Sequence, residues 1–196
     1  MNNKKGGNKI SRPLTNNEFL KIIEYIKSKD VKLMLIIEAT TGLRIQDIAI
    51  LKWSNLRNGK LEISEMKTKK TQNREYPLWL RNMLEDFKEE NCKKINDYLF
   101  LENDKNFKNQ INALVRKCQR QIQTSCKLSD IESTHISTHS FRKYFATENY
   151  KATKDIVLIQ EMLNHTSLAT TRKYIRINQE EVNEVCRNFD PFSRKY

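Results

Sequence analysis

Leu33-Met34-Leu35-Ile36-Ile37-Glu38-Ala39-Thr40-Thr41-Gly42-Leu43-Arg44 is the stretch that decides how this chain folds. Leu33, Met34, Ile36 and Ile37 are too apolar for a helix with an exposed face, so the segment predicts a central helix that starts after Asp30 and ends near Gly42. Another helix follows at once, from about Ile45 to Trp53. Upstream, Thr15 and Glu18 have the spacing of a capping box, and Phe19, Ile22, Ile23 and Ile26 share one face of a first helix.

Beyond Trp53 the periodicity changes. Leu61, Ile63 and Glu65 alternate with polar positions, a turn rich in Lys, Thr, Gln and Asn follows, and Tyr76-Pro77-Leu78 closes the unit, which predicts a small antiparallel sheet over 55–78. Helical spacing returns over 78–92 through Leu80, Met83, Leu84 and Phe87, and again over about 109–124. Residues 125–137 read as loop. Thr138 is placed to cap a helix running to about Tyr150, Asp155 to begin one ending at Asn164, and Ser167 to cap a short one carrying Tyr174. A last amphipathic helix is expected from about Gln179 to Arg187. There are no internal repeats and no composition shift that would mark a second domain.

With 196 residues and 38% hydrophobic content, the chain can bury one good core. Thirty-six Lys and Arg against 24 Asp and Glu leave a net charge of +12, which favours a polyanionic partner. Taken alone, this charge is as well explained by compositional bias. No apolar run reaches the length of a membrane span and the N-terminus lacks a signal peptide's apolar core, so a cytoplasmic location is expected. Cys92, Cys118, Cys126 and Cys186 are scattered without a CxxC pair, which predicts reduced packing residues rather than a zinc site or disulfides. Residues 1–12, with Lys4, Lys5, Lys9, Arg12 and Gly6-Gly7, read as a flexible basic tail ahead of a domain spanning 13–196.

Three clusters carry the chemistry: Thr41-Gly42-Leu43-Arg44, His139-Ser140-Phe141-Arg142, and Leu163-Asn164-His165 followed nine residues later by Tyr174. A phosphodiester gains negative charge on its non-bridging oxygens as a nucleophile adds, and guanidinium groups such as Arg44 and Arg142 stay charged and bind paired oxygens through parallel donors. A tyrosine can attack phosphorus and hold the product covalently, given a neighbour that takes its proton. Each residue alone has a plainer reading. Arg44 would be a helix-end charge paired with Asp47, Tyr174 one of seven tyrosines, and each histidine a structural residue.

In combination and order these motifs resemble the catalytic domain of the tyrosine recombinases, the family of phage integrases, chromosome-dimer resolvases and fimbrial-switch invertases. The resemblance runs from about Thr15 to Gln179. It implies an α+β, mainly helical catalytic domain with a small three-stranded antiparallel sheet, and site-specific cleavage and rejoining of double-stranded DNA through a 3′-phosphotyrosyl intermediate, with no cofactor and no metal. By that resemblance Tyr174 is the nucleophile, His139 the general base, Arg44, Arg142 and His165 bind the phosphate, and Asp47 orients Arg44. A lysine of the sheet protonates the leaving 5′ oxygen. Counting forward from Leu61 points to Lys67, counting back from Pro77 points to Lys69, and Lys67 is preferred. Lys69 and Lys70 on the turn, Arg116, Lys117 and Arg120 on one helix, and Arg172 and Lys173 beside Tyr174 are candidate DNA contacts.

The resemblance also implies a homo-tetramer on two DNA sites, joined by the segment after Tyr174, where Val182, Val185 and Phe189 are the expected contacts. No separate N-terminal core-binding domain is apparent, a layout similar to the fimbrial-switch invertases. The competing readings are a DNA-binding regulator that keeps the shell without turnover, and a relaxing enzyme of the type IB topoisomerase kind. The His-x-x-Arg spelling at His139 argues against the latter.

Overall fold

The computed structural model describes residues 11–91, 94–102, 105–175 and 179–188. Helix α1 (Asn16–Tyr25) opens with the predicted capping box between Thr15 and Glu18, and α2 (Lys29–Thr41) is buried along almost its entire length. Gly42 ends α2 in the left-handed region at φ +66°, and its N–H donates to the Glu38 carbonyl at 3.0 Å. Helix α3 (Ile45–Ala49) leads through a 3-10 turn (Trp53–Asn55) into strands β1 (Leu56–Arg57), β2 (Lys60–Ser64) and β3 (Thr71–Glu75). These form one antiparallel sheet in the order β1-β2-β3, with Leu61 opposite Arg74 and Ile63 opposite Gln72. Alternation sends Leu61 and Ile63 inward, as the period of two requires.

Six helices complete the described chain: α4 (Leu78–Glu90), α5 (Phe107–Leu128), α6 (Thr138–Thr153), α7 (Ile156–Met162), α8 (Leu168–Arg172) and α9 (Gln179–Asn188). Helix α2 packs against α3, α5 and α6, which makes it the central element that its apolar sequence predicts. The main core gathers around α2. A smaller cluster of Phe145, Ala146, Ile159, Leu163, Tyr174 and Ile175 closes the far side of α6.

Several boundaries differ from expectation. Helix α3 stops at Ala49 because the following residues pair sideways: the Leu99 N–H donates to the Leu51 carbonyl at 2.9 Å and the Trp53 N–H to the Asp97 carbonyl at 3.1 Å. Helix α5 continues to Leu128 through a stretch expected to be loop. Its buried Cys118, Ile122 and Cys126 recur every four residues, so apolar periodicity holds past Thr124. Ser137 rather than Thr138 caps α6, exchanging bonds with Ser140, and α6 runs to Thr153 before Lys154 turns left-handed. Helix α7 ends at Met162, before Asn164. Tyr174 lies just past α8 rather than on it, with its N–H donating to the Thr171 carbonyl at 2.8 Å.

Ser11 and Arg12, at the inner edge of the expected tail, are engaged with the domain. The Arg12 N–H donates to the His135 carbonyl at 2.9 Å and its guanidinium pairs with Glu18 at 2.6 Å. Residues 1–10, with the remaining tail lysines, lie outside the described residues, as do Cys92 and Phe189. Cys118 and Cys126 are buried free thiols, while Cys186 is exposed rather than packed. Val182 and Val185 stand exposed on α9. No described helix is long and apolar enough to cross a membrane.

Candidate active site

Helix α6 supplies the center of the site. His139, Arg142 and Lys143 are spaced three and four apart and share one face. Arg142 has no exposed surface; its Nη2 donates to the Leu163 carbonyl at 2.8 Å and stands 3.4 Å from His165 Nε2. Its Nε and Nη1 are buried without a hydrogen-bond partner among the described residues. Buried donors are almost always paired, so two unpaired ones on a fixed guanidinium mark a position built for an acceptor from outside.

His165 is delivered by the turn after α7, where Asn164 takes the left-handed φ of +54° that its short polar side chain tolerates. Because Arg142 can only donate, His165 Nε2 accepts, and the ring proton sits on Nδ1, which donates to Thr171 Oγ1 at 3.0 Å. Tyr174 packs edge-on against the His165 ring, with centroids 5.0 Å apart, and its hydroxyl lies 2.7 Å from His139 Nε2. A phenol donating to Nε2 requires His139 to carry its own proton on Nδ1. Four of the predicted residues therefore converge at one place.

Arg44 reaches the same center from the α2–α3 junction. Its close partner is Glu65, at 2.6 Å, while Asp47, expected to orient it, stands at 3.8 Å. Asp47 also serves the backbone: its Oδ1 accepts the Met66 N–H at 2.8 Å, tying α3 to the end of β2. Glu65 is fully buried and also accepts from Thr68 Oγ1 and Gln72 Nε2. Burial pushes its carboxyl up, but the bonds from Thr68, Arg44 and Gln72 outweigh it and hold the group below the usual carboxylate range. Asp47 shifts the other way, raised chiefly by burial.

The β2–β3 connection is closed by two backbone bonds, Glu65 N–H to the Lys70 carbonyl and Lys69 N–H to the Glu65 carbonyl, each 3.0 Å. All three lysines of this turn are exposed, and the Lys67 charge lies near enough to depress the His139 imidazole. Arg116 and Arg120 are exposed on α5, and Lys117 pairs with Asp30 at 3.4 Å. Arg172 and Lys173 are exposed immediately before the buried Tyr174.

Sequence reading did not single out Arg74, Glu38 or Thr171, and took Glu65 only as a strand position. Arg74 donates to the Thr41 carbonyl from β3, and burial, helped by Arg142, lowers its guanidinium to about 10. Glu38 on α2 is fully buried, and desolvation raises its carboxyl well above the usual carboxylate range, with the nearby Arg142 pulling against it. The only signal available in sequence was a carboxylate inside an otherwise apolar helix.

Both imidazoles are held neutral. Burial, followed by the charges of Arg142, Lys143, Arg44 and Lys67, lowers His139 to about 4; burial, Arg142 and Arg44 lower His165 to about 4. Burial raises the Tyr174 phenol, with Arg142 and Arg44 pulling against it. An unfolded histidine titrates near 6.5, so between pH 6.5 and 4 the unfolded chain binds more protons than the folded one. This contribution to stability is complete above pH 6.5 and is lost as pH falls toward 4. Urea unfolding followed against pH is expected to lose up to roughly 1.4 kcal/mol per pH unit for each histidine in that window, and a shallower slope is expected for His165→Asn.

The profile of the phage integrase family matches residues 12–181. Over 60 residues, 31% of this chain and 19% of the relative, the sequence is 42% identical to tyrosine recombinase XerC of Leptospira interrogans. Over 181 residues it is 25% identical to tyrosine recombinase XerA of Pyrococcus horikoshii, which covers 89% of this chain and 60% of the relative. The chain thus spans three-fifths or less of the length of these two relatives. The fold superposes on a lambda integrase tetramer bound to a Holliday junction with a TM-score of 0.67 at 19% identity, covering 100% of this chain and 54% of that one. The matched span contains the α2–α3 junction, the sheet, α6 and the turn bearing Tyr174, and by that span the chain belongs to the phage integrase family, as a tyrosine recombinase catalytic domain.

Proposed function

We propose that this domain cleaves and rejoins double-stranded DNA at specific sites, with Tyr174 as nucleophile. The observation that carries the reading is the 2.7 Å contact between the Tyr174 hydroxyl and a neutral His139, set beside an Arg142 whose Nε and Nη1 lack partners among the described residues. The Tyr174 hydroxyl proton passes to His139 Nε2 as the phenolic oxygen bonds to phosphorus. Arg142, Arg44 and His165 hold the non-bridging oxygens while charge grows on them. The bond from phosphorus to the 5′ oxygen breaks, that oxygen takes a proton from Lys67, and the 3′ end remains on Tyr174. Attack by a 5′-hydroxyl from the partner strand reverses each transfer.

Arg142 has no exposed surface and Tyr174 is only 8% exposed, so the phosphate enters where the phenol packs, and DNA binding shifts the turn carrying Tyr174. Arg172 at the end of α8 and Lys173 on that turn, with Lys69, Lys70, Arg116, Lys117 and Arg120, supply the sequence-independent phosphate contacts. Exchange requires two DNA sites, and the exposed Val182 and Val185 of α9 suit docking on a second protomer of a tetramer. A cytoplasmic enzyme would meet its DNA there.

The test is covalent trapping with nicked suicide duplexes drawn from the sequence flanking its own gene, without added metal. A denaturant-resistant adduct that disappears in Tyr174→Phe is the expected result. A stable complex that never becomes covalent would favour the DNA-binding regulator instead.

A further inference from the structure

Helix α6 buries a second cation beside the catalytic arginine. Lys143 is 5% exposed, its Nζ lies 5.4 Å from the centroid of the Tyr174 ring, and it donates to the Ser11 carbonyl. The segment that supplies this carbonyl is fastened along α6. Beyond the Arg12 contacts with His135 and Glu18, the Tyr144 hydroxyl donates to Asn16 Oδ1 at 2.8 Å. A buried ammonium is costly unless engaged, and the partners of this one include the lead-in backbone and the face of the Tyr174 phenol.

We propose that Lys143 is a positioning residue for Tyr174, coupling the lead-in segment at Ser11 to the nucleophile's ring. This rests on the reading of Tyr174 as the nucleophile. A cation over an aromatic face is bound more strongly when the ring gains electron density, so Lys143 favours the phenolate over the phenol. The Ser11 carbonyl holds one of the ammonium's hydrogen bonds and so helps set how near it sits to the ring. A shift of the lead-in segment at Ser11 and Arg12 changes that distance and with it the readiness of Tyr174 to ionise.

The other groups that act on the phenol are His139 and Arg142 of α6, His165 after α7, Arg44 before α3 and Glu38 of α2. All of these side chains stay in place on substitution at Lys143, and His139, which also feels the Lys143 charge, is followed through its own titration in the same samples. The experiment is carbon-13 NMR of the full chain, free of DNA and labelled at the tyrosine ring carbon bearing oxygen, with the Tyr174 signal identified by its loss in Tyr174→Phe. Lys143→Gln retains a donor for the Ser11 carbonyl and removes the charge. It is expected to raise the Tyr174 titration midpoint by about one pH unit, with the six other tyrosines unmoved, while Lys143→Arg restores it to within about 0.3 unit. An unchanged midpoint in a folded Lys143→Gln overturns the coupling. Should the glutamine variant fail to fold, Lys143→Arg decides: a midpoint that moves despite the retained charge overturns it. The readout needs no cleavage, so its failure leaves adduct formation by Tyr174 standing, and absence of an adduct leaves the coupling standing.

Discussion

A lysine in place of Arg142 is expected to slow covalent adduct formation roughly a thousandfold, about 4 kcal/mol of transition-state stabilisation, with DNA affinity at matched salt changed only a few-fold. Charge is conserved in this substitution, so the loss is one of geometry. Arg142 uses Nη2 on the Leu163 carbonyl and toward His165, which leaves Nε and Nη1 for two oxygens of one phosphate. A lysine ammonium is a single point. It can satisfy the Leu163 carbonyl or reach the phosphate, but it does not present parallel donors to both oxygens while holding the carbonyl. With the phosphate contacts proposed for exposed residues such as Arg172 and Lys173 left in place, binding is expected to survive. Single-turnover trapping beside a mobility-shift titration checks both halves. An adduct rate within tenfold of the unaltered protein would move the principal clamp to Arg44 or Arg74.

The same residue shows how far the sequence could be read. His139, Arg142, His165 and Tyr174 were legible because the spacing within α6 and across the α7–α8 turn is local, and local spacing is what a helix and a tight turn convert into position. The apolar run of Leu33 to Ile37 likewise announced a central helix, and alternation at Leu61 and Ile63 announced the sheet. Glu65, Arg74 and Lys143 were not legible, since each acquires its meaning from a partner far away in the chain: Arg44, the Thr41 carbonyl and Ser11. Asp47 is a mixed case. Its spacing of three from Arg44 gives the ion pair the sequence suggests, at 3.8 Å, while its other oxygen accepts the Met66 N–H, a partner that only the fold provides. The end of α5 was legible in principle, since the apolar spacing of Cys118, Ile122 and Cys126 continues past Thr124.

Gly42→Ala is expected to lower unfolding stability by about 2–4 kcal/mol and to reduce adduct formation by more than the fraction unfolded accounts for. At φ +66° an alanine costs on the order of 1 kcal/mol simply to adopt the backbone conformation. The methyl group then meets Phe145 ring carbons at 2.5 and 2.6 Å and a Leu163 methyl at 3.2 Å. Phe145 is packed within the cluster of Ala146, Ile159 and Leu163, so its ring must shift against these neighbours to admit the methyl, and overpacking of this kind adds roughly 1–3 kcal/mol. Gly59 is the internal control. It also has a positive φ, +73°, but a methyl there meets nothing within 4 Å, so Gly59→Ala should cost only the backbone contribution of about 1 kcal/mol. The difference between the two variants in urea unfolding isolates the packing contribution, and equal losses would remove it. The functional effect follows from what Gly42 touches. Phe145 lies one turn beyond Arg142 on α6, and Leu163 holds the arginine through its carbonyl, so displacing either tilts the guanidinium away from the 2.8 Å bond that aims it. The glycine of the Thr-Gly-Leu-Arg cluster thereby acts on both arginines, ending α2 so that Arg44 can turn into the site and leaving room for the helix that presents Arg142.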